Sequence, residues 1–399
     1  MSKTVKLYET APFARTAESV VAAVDPAAPR VALAATVFYP EGGGQGADRG
    51  VLHFGAGSAA VLDVREQDGV VWHTLDALPA GVCAGSPARC QIDWARRFDH
   101  MQQHTGEHIL SGTLHRLFGA ENVGFHIGGE AVRMDTSIPL TDGQLRLAEQ
   151  QANEAVWADR PLRIWYPEPA ELAALAYRSK KALTGPVRIV EIPGADVCAC
   201  CGTHVERTGQ VGMVKILTAE RYKGGMRLAV VCGGRALAAF EGMRARQADI
   251  GALLSAQADK TAEAVHRVYD EYAALKFAHY GLCGQLFDAL AAQAAASPEQ
   301  PAVYIVPGLD PDGLHRLALR LAQAVPGLCA ALTETEKGAG YCLASASADV
   351  RGLTRALNAA FGGRGGGKPG CCQGSCAGVS PGQLAEYLHA HAGDLNAPK

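Results

Sequence analysis

The chain has 399 residues, 48% hydrophobic and 19% charged. That excludes a disordered polyelectrolyte and supplies two or three cores at about 150 residues per domain. Lys and Arg number 37 against 40 Asp and Glu, and the net charge of −3 excludes a globally basic nucleic-acid coat while leaving room for a local basic groove. No run reaches the roughly 18 uninterrupted apolar residues of a membrane span, and the N-terminus lacks the charged, apolar, small-residue order of a signal peptide. The expectation is a cytoplasmic protein with no membrane contact, whose 12 cysteines are thiols or metal ligands rather than a disulfide framework.

Residues 1–92 read as strand-rich: 31–39, 51–54, 59–64 and 70–75 are short apolar or alternating runs, punctuated by Gly, Pro and acidic residues, with the spacing of a small barrel or sandwich. Over 99–118 the period changes. Phe98, Met101, Ile109, Leu110, Leu114 and Leu117 fall at helical spacings, with Asp99 as the expected N-cap. A second helix is expected near 141–158, starting at Thr141 or Asp142, and strands at 187–192, 210–217 and 226–232, which makes 93–235 an α+β region. Residues 236–297 are rich in Ala, Leu, Glu and Arg. Val265, Val268, Tyr272 and Leu275 step by 3, 4 and 3, the stripe of a helical pair or arm. After Pro298 an α/β unit over 298–399 is expected, with a strand at 303–306, helices at 310–325 and 350–361, and a glycine tract at 362–370. The fold class is therefore α+β, in four parts.

Two short motifs carry chemistry. His104 and His108 are four apart, so on a helix both imidazoles share one face and reach one ion. Cys198-Ala-Cys200-Cys201-Gly-Thr-His204 repeats that spacing from Cys200 to His204 in a loop-prone setting, with Cys198 and Cys201 as competing thiols. Together they offer three or four nitrogen and sulfur ligands, a donor set that favours zinc. Four protein ligands make a closed structural site, and three plus water a catalytic one. His104-x-x-Glu107-His108 also fits the inverted zinc-peptidase motif, in which the Glu is the general base, although the Cys-x-x-x-His partner argues against that reading.

Several blocks occur in the order of one family. They are Phe38-Tyr-Pro-Glu-Gly-Gly-Gly-Gln45 with Asp48-Arg49-Gly50, then Asp99 to Ser111 around His104 and His108, then Cys200-Cys-Gly-Thr-His204-Val with Thr208-Gly209 and Gly212. Over roughly residues 5–235 the chain resembles freestanding alanyl-tRNA editing proteins of the AlaX type, long form, and the editing region of alanyl-tRNA synthetase. Gly362-Gly-Arg-Gly-Gly-Gly-Lys-Pro369 with Gln373-Gly374 resembles the glycine-rich domain that ends those proteins. The aminoacylation motifs of a synthetase have no counterpart in this reading. The resemblance implies Zn2+ held by His104, His108, Cys200 and His204. It also implies hydrolysis of tRNA(Ala) mischarged with serine or glycine. Two departures are Gly46, where the family often has proline, and Cys201, where a glycine is common.

Serine is alanine plus a hydroxyl, and a site built to bond that hydroxyl rejects the analogue lacking it. Thr36 is the first candidate for this contact and Thr105 the second. Gly42, Gly43, Gly44 and Gln45 form a loop that lets backbone approach the terminal adenosine or acceptor stem. Arg178, Lys180, Lys181 and Arg188 form one basic group, and Arg221, Lys223, Arg227 and Arg235 another, either able to follow RNA phosphates. Arg364 and Lys368 flank glycine amides that can hold a phosphate or simply form a turn. The Pro369 that follows, in place of Ser or Thr, argues against an ATPase loop. Cys371, Cys372 and Cys376 are candidates for a second metal. The alternatives are a noncatalytic tRNA-binding module with structural zinc and the peptidase. A homodimer would form through the helical arm or the C-terminal domain.

Overall fold

Six early strands close into a barrel in the order Thr16–Val24, Arg30–Leu33, Val70–Leu75, Gly57–Gln67, Gly50–Phe54, Pro87–Ile92 and back to the first. Closure leaves no strand edge exposed. Two of the six staves are missing from the sequence reading. Pro87–Ile92 alternates cleanly, with Ala88, Cys90 and Ile92 inward, but opens on a proline and carries Arg89 and Gln91. Thr16–Val24 buries only Val21 and so lacks an apolar stripe. Val31, Leu33, Leu52, Val61, Val64 and Leu75 fill the interior.

Inside this barrel His73 is fully buried. Its Nδ1–H donates to the Val31 carbonyl at 3.2 Å, which leaves Nε2 to accept from the Thr36 hydroxyl at 2.8 Å. Burial pushes the imidazole down to about 4. An unfolded histidine titrates near 6.5, so between pH 6.5 and 4 the unfolded chain binds the extra proton and stability falls as the pH falls. The gap between the two values corresponds to about 3 kcal/mol across that window. His73→Asn is expected to flatten the acid limb by about that amount, read from urea midpoints at pH 7 and 4.5. An unchanged acid limb would contradict it.

The computed structural model describes residues 2–179 and 185–393, and its contacts gather the chain into two compact units, 1–249 and 250–399. Lys180 and Lys181 lie outside the described residues. In the first unit the barrel is followed by the helix Trp94–Phe118, which starts five residues before the expected boundary. The cap is Asp93, whose side chain accepts from Arg96 N at 3.1 Å. Trp94 and Phe98, one turn apart, stack with centroids 5.6 Å apart and extend the buried face towards Phe13. Asp99 instead binds the Arg235 guanidinium, at 2.8 and 2.6 Å. The helix stops at Gly119 in the left-handed region, φ 66°.

Around that helix lie the capped helix Asp142–Trp157, with its Thr141–Gln144 capping box, and two sheets. One has the order Val214–Tyr222, Gly225–Cys232, Val132–Thr136, Asn122–Ile127; the other is Arg163–Trp165, Ile189–Ile192, Asp196–Ala199. Residues 208–211, which overlap the start of the expected strand at 210–217, form a 3-10 turn first. Gln103 docks the helix on the sheet, its amide donating to the Cys232 carbonyl and accepting from Cys232 N, both at 2.8 Å.

A buried ion pair joins barrel and helix. Arg97 and Asp48 are both fully enclosed. Arg97 also donates to the carbonyls of Pro12 at 2.8 Å and Val37 at 2.6 Å, while Asp48 accepts from Tyr39 N at 2.7 Å. The Phe38–Gly50 turn is thereby tied to the helix that carries His104 and His108.

The second unit begins in the helix Gly234–Leu254 and continues in Thr261–Ala296. Of the expected stripe, Tyr272 and Leu275 are 61% and 69% exposed. The buried side chains of the long helix are instead Thr261, Ala264, Phe287, Ala291 and Ala294. A five-stranded sheet follows in the order Ala302–Ile305, Cys329–Thr335, Gly338–Ala344, Cys371–Ala377, Arg364–Lys368. Pro311–Ala324 and the end of the long helix cover one face, and Arg351–Phe361 and Pro381–His391 the other. The glycine tract is thus no turn. Arg364–Lys368 is an exposed edge strand, and Gly365 lies against Gln373 and Gly374 where a side chain would collide with backbone. Among the described residues no helix is long and apolar enough to cross a membrane.

Candidate metal centre

His104 and His108 project from one face of Trp94–Phe118, one turn apart, with ring centroids 5.2 Å apart. The loop after Asp196–Ala199 brings Cys200 and His204 to the same point, and the ligand atoms of all four residues lie within 4.8 Å of one another. Cys200 Sγ stands 3.5 Å from His104 Nε2 and 3.4 Å from His204 Nε2. Zinc–sulfur and zinc–nitrogen bonds of about 2.3 and 2.05 Å at a tetrahedral angle subtend an S···N edge of about 3.6 Å, so the donors stand at the spacing such an ion requires. The residues fit a soft-donor tetrahedral metal.

The three imidazoles are oriented from behind. Gln45 Oε1 accepts from His104 Nδ1 at 2.9 Å, Asp196 Oδ2 from His108 Nδ1 at 2.9 Å, and Thr105 Oγ1 stands 3.1 Å from His204 Nδ1. Each outer nitrogen is occupied, so Nε2 is the one turned to the centre. Asp196 is itself held by Arg178, at 2.8 and 2.9 Å, and Arg178 also donates to Ser111 Oγ at 2.8 Å. Burial works against ionisation of Asp196, but the His108 bond and the Arg178 guanidinium outweigh it and hold the carboxyl below its usual range. Burial likewise opposes ionisation of Cys200. The adjacent His104 overcomes it and holds the thiol well below the usual value, in the ligating form. Burial pushes His204 down to about 3 and so keeps it neutral.

The ligand loop reaches His104 because residue 202 is glycine: a Cβ there would overlap the His104 ring. Arg188 fixes the same loop by donating to the carbonyls of Cys200 and Gly202, both at 2.9 Å. Asp196→Asn is expected to weaken metal binding about 10- to 100-fold with the fold retained. Competition against a chromophoric chelator measures this, and unchanged affinity would remove Asp196 from the centre's support.

His104, His108 and Cys200 form one wall of a cavity of about 460 Å3, with His204 buried behind them. It is lined by Gly43, Gly44, His104, His108, Phe125, Ser179, Cys198, Ala199, Cys200 and Cys201. Gly43 and Gly44 both have positive φ, and Gly44 lies so close to Phe125 that a side chain would overlap its ring. Gly42 stands outside the lining, bridged to Gln45 through paired backbone bonds of 3.1 and 3.0 Å.

Several expectations need correction. Gln45 is fully buried and its amide serves His104 and Thr203, so the side chain offers RNA no contact. Arg178 is engaged behind His108 and is no free phosphate cation. Arg227 is paired with Asp135 and Arg235 with Asp99. Thr36 donates to His73 and accepts from Phe38 N at 3.1 Å, inside the barrel; Thr105 accepts from Val205 N at 3.2 Å and supports His204. Neither threonine lines the cavity. Among the described residues Cys201 joins no ligand group, whereas Cys198 forms a second one with His108 and Asp196. Glu107, the base of the peptidase reading, is buried and accepts from the Asn122 amide, outside the four-residue group. Arg364 and Lys368 are exposed on the edge strand of the second unit. The sequence reading missed Asp196, a lone acidic residue in a strand, and Phe125, which stacks on His104 with centroids 5.0 Å apart and has no local signature.

One cysteine and three buried histidines converge beside a glycine loop into a group that could hold a metal ion, next to a small-molecule-sized cavity. Residues 2–96, which contain the barrel, match the family described as tRNA synthetases class II (A). Residues 187–228, which contain Cys200 and His204, match the Threonyl and Alanyl tRNA synthetase second additional domain. The alanyl-tRNA editing protein AlaX-L of Pyrococcus horikoshii is 33% identical over 210 residues, 52% of this chain and 52% of that protein. The alanine–tRNA ligase of Pyrococcus abyssi is 33% identical over 281 residues, 68% of this chain and 30% of that protein. That of Ignicoccus hospitalis is 37% identical over 214 residues, 51% of this chain and 23% of that protein. The resemblance to AlaX-type editing proteins carried by the motifs is borne out. The chain spans about half the length of the editing relative and under a third of these ligases.

Proposed function

We propose that this chain hydrolyses the ester of tRNA(Ala) mischarged with serine or glycine, in the cavity beside a zinc ion held by His104, His108, Cys200 and His204. The observation that carries the reading is the cavity wall itself. Three of the four converging metal donors, His104, His108 and Cys200, line one space with the Gly43–Gly44 backbone and Phe125. Bound there, zinc supplies a fixed positive charge that orients or polarises a substrate oxygen or nitrogen. The chain's own residues do the rest. Gln45, Asp196 and Thr105 hold the three imidazoles in the ligating tautomer. Gly43 and Gly44, lacking side chains, let a terminal nucleoside approach the wall. Phe125 limits the acyl pocket and excludes water from one side. An aminoacyl ester is already activated, so addition of water to its carbonyl and departure of the ribose oxygen need no protein nucleophile.

A noncatalytic tRNA-binding module is the second reading, favoured by one observation: four protein donors complete a tetrahedral shell by themselves. Zinc-loaded protein incubated with Ser-tRNA(Ala) and, in parallel, Ala-tRNA(Ala) separates the two. Fast loss of serine with alanine spared is the expected result. Loss of both esters at equal rates would keep the hydrolase and remove its selectivity. Retention of both, with tRNA bound, would establish the binding module.

A further inference from the structure

The three cysteines after the glycine tract do not converge. Cys372 and Cys376 are buried on the face covered by Arg351–Phe361 and Pro381–His391, while Cys371 points to the opposite face with Cys342. The register pairs Cys371 with Ala344 and Cys342 with Gln373, so the two thiols meet on a diagonal between neighbouring strands, Sγ to Sγ 3.5 Å. Cys342 is fully buried, Cys371 is partly exposed, and His315 of the helix Pro311–Ala324 lies beside Cys371. The pair and His315 form none of the three-residue metal groups found among the described residues. The arrangement is that of a reactive thiol at the surface, a second thiol bonded behind it, and an imidazole at its flank.

We propose that Cys371 is a nucleophilic site for soft electrophiles, with Cys342 as its resolving thiol, so that a peroxide converts the pair into a disulfide. Either thiol can donate in this contact; with Cys342 as the donor that bond, together with His315 and against partial burial, brings the Cys371 thiol down to about 6. The same bond raises Cys342, which keeps its proton. In the first step the Cys371 thiolate attacks one peroxide oxygen, the O–O bond breaks, and a sulfenic acid forms as hydroxide leaves and takes a proton. In the second, Cys342 sulfur attacks the Cys371 sulfur, the S–O bond breaks, and water departs with the Cys342 proton. Two thiols lose two electrons to one peroxide, giving one disulfide and two waters. The sulfurs must close by about 1.5 Å to reach bonding distance.

Full-length, zinc-loaded protein, with Cys200 engaged, is treated with limiting iodoacetamide between pH 5.5 and 9, and labelled peptides are quantified by mass spectrometry. Cys371 is expected to react about tenfold faster than glutathione at pH 6 and to level off above pH 7, because its thiolate is already formed there. Cys342→Ala is expected to restore an ordinary thiol profile to Cys371. One equivalent of hydrogen peroxide is expected to yield a peptide pair joined through Cys342 and Cys371. In Cys342→Ala it is expected to give a dimedone-trapped sulfenic acid at Cys371 instead. A Cys371 profile that follows glutathione at every pH, or oxidation of Cys371 that leaves Cys342 unlinked in the unmodified chain, would overturn the proposal. Neither result bears on the ester hydrolysis proposed above.

Discussion

Cys200→Ser and His104→Ala are each expected to release zinc and to lower seryl-tRNA(Ala) hydrolysis by about 100-fold or more, with the secondary structure unchanged. The four donors lie within 4.8 Å of one another, and each imidazole is oriented by a buried partner. Removing one ligand therefore leaves three groups fixed around an incomplete shell. Serine in place of Cys200 also exchanges a soft anionic sulfur for a neutral hydroxyl, a poor zinc ligand. Gly202→Ala should reproduce the loss from the backbone side, since its methyl would occupy the position of the His104 ring. Elemental analysis and single-turnover hydrolysis on the same preparation check both halves. Zinc retained at one equivalent in Cys200→Ser would show that the ion is held elsewhere.

The second large effect is on stability. Arg97→Ala is expected to destabilise the first unit by about 3–5 kcal/mol, because it leaves the Asp48 carboxylate buried without its partner. The Val37 and Pro12 carbonyls lose their donor in the same change. The paired replacement Asp48→Leu with Arg97→Met should cost less than the sum of the single changes, since it leaves no uncompensated charge. Urea unfolding of the three variants measures this. A single-variant loss below about 1 kcal/mol would mean that water or a neighbouring group satisfies Asp48. Because the pair anchors the turn carrying Gly43, Gly44 and Gln45, Arg97→Ala should also weaken zinc binding without touching a ligand.

What was legible in the sequence follows from what local spacing can encode. Two i, i+4 pairs identified the four donors, because a helix and a tight loop each bring such residues to one side. Capping at Thr141 was readable for the same reason, since Thr141 and Gln144 interact within one turn. The partners that orient the donors were not readable. Gln45 reaches His104 across 59 positions, and Asp196 reaches His108 across 88. Both are polar residues whose surface or buried fate only the tertiary fold decides. The basic group 178–188 misled for a related reason. Arg178 and Arg188 look like surface cations, but their guanidinium groups satisfy a buried carboxylate and the carbonyls of the ligand loop. Asp99 was a sound cap by composition. It lost that place to Asp93 because Trp94 and Phe98 bury a further turn. The glycine tract reads as a phosphate-holding loop or a turn because three glycines in a row suggest one. It is a strand because close backbone approach at Gly365, Gly367 and Gly374 leaves no room for side chains.

The most direct test of the central claim is removal and return of the metal. The chain is stripped with a chelator, its fold verified by circular dichroism, and release of serine from Ser-tRNA(Ala) followed before and after one equivalent of zinc. The account predicts loss of hydrolysis in the stripped protein and recovery at a one-to-one ratio, with no recovery in His108→Ala. Hydrolysis by the stripped, folded chain at the original rate would contradict it.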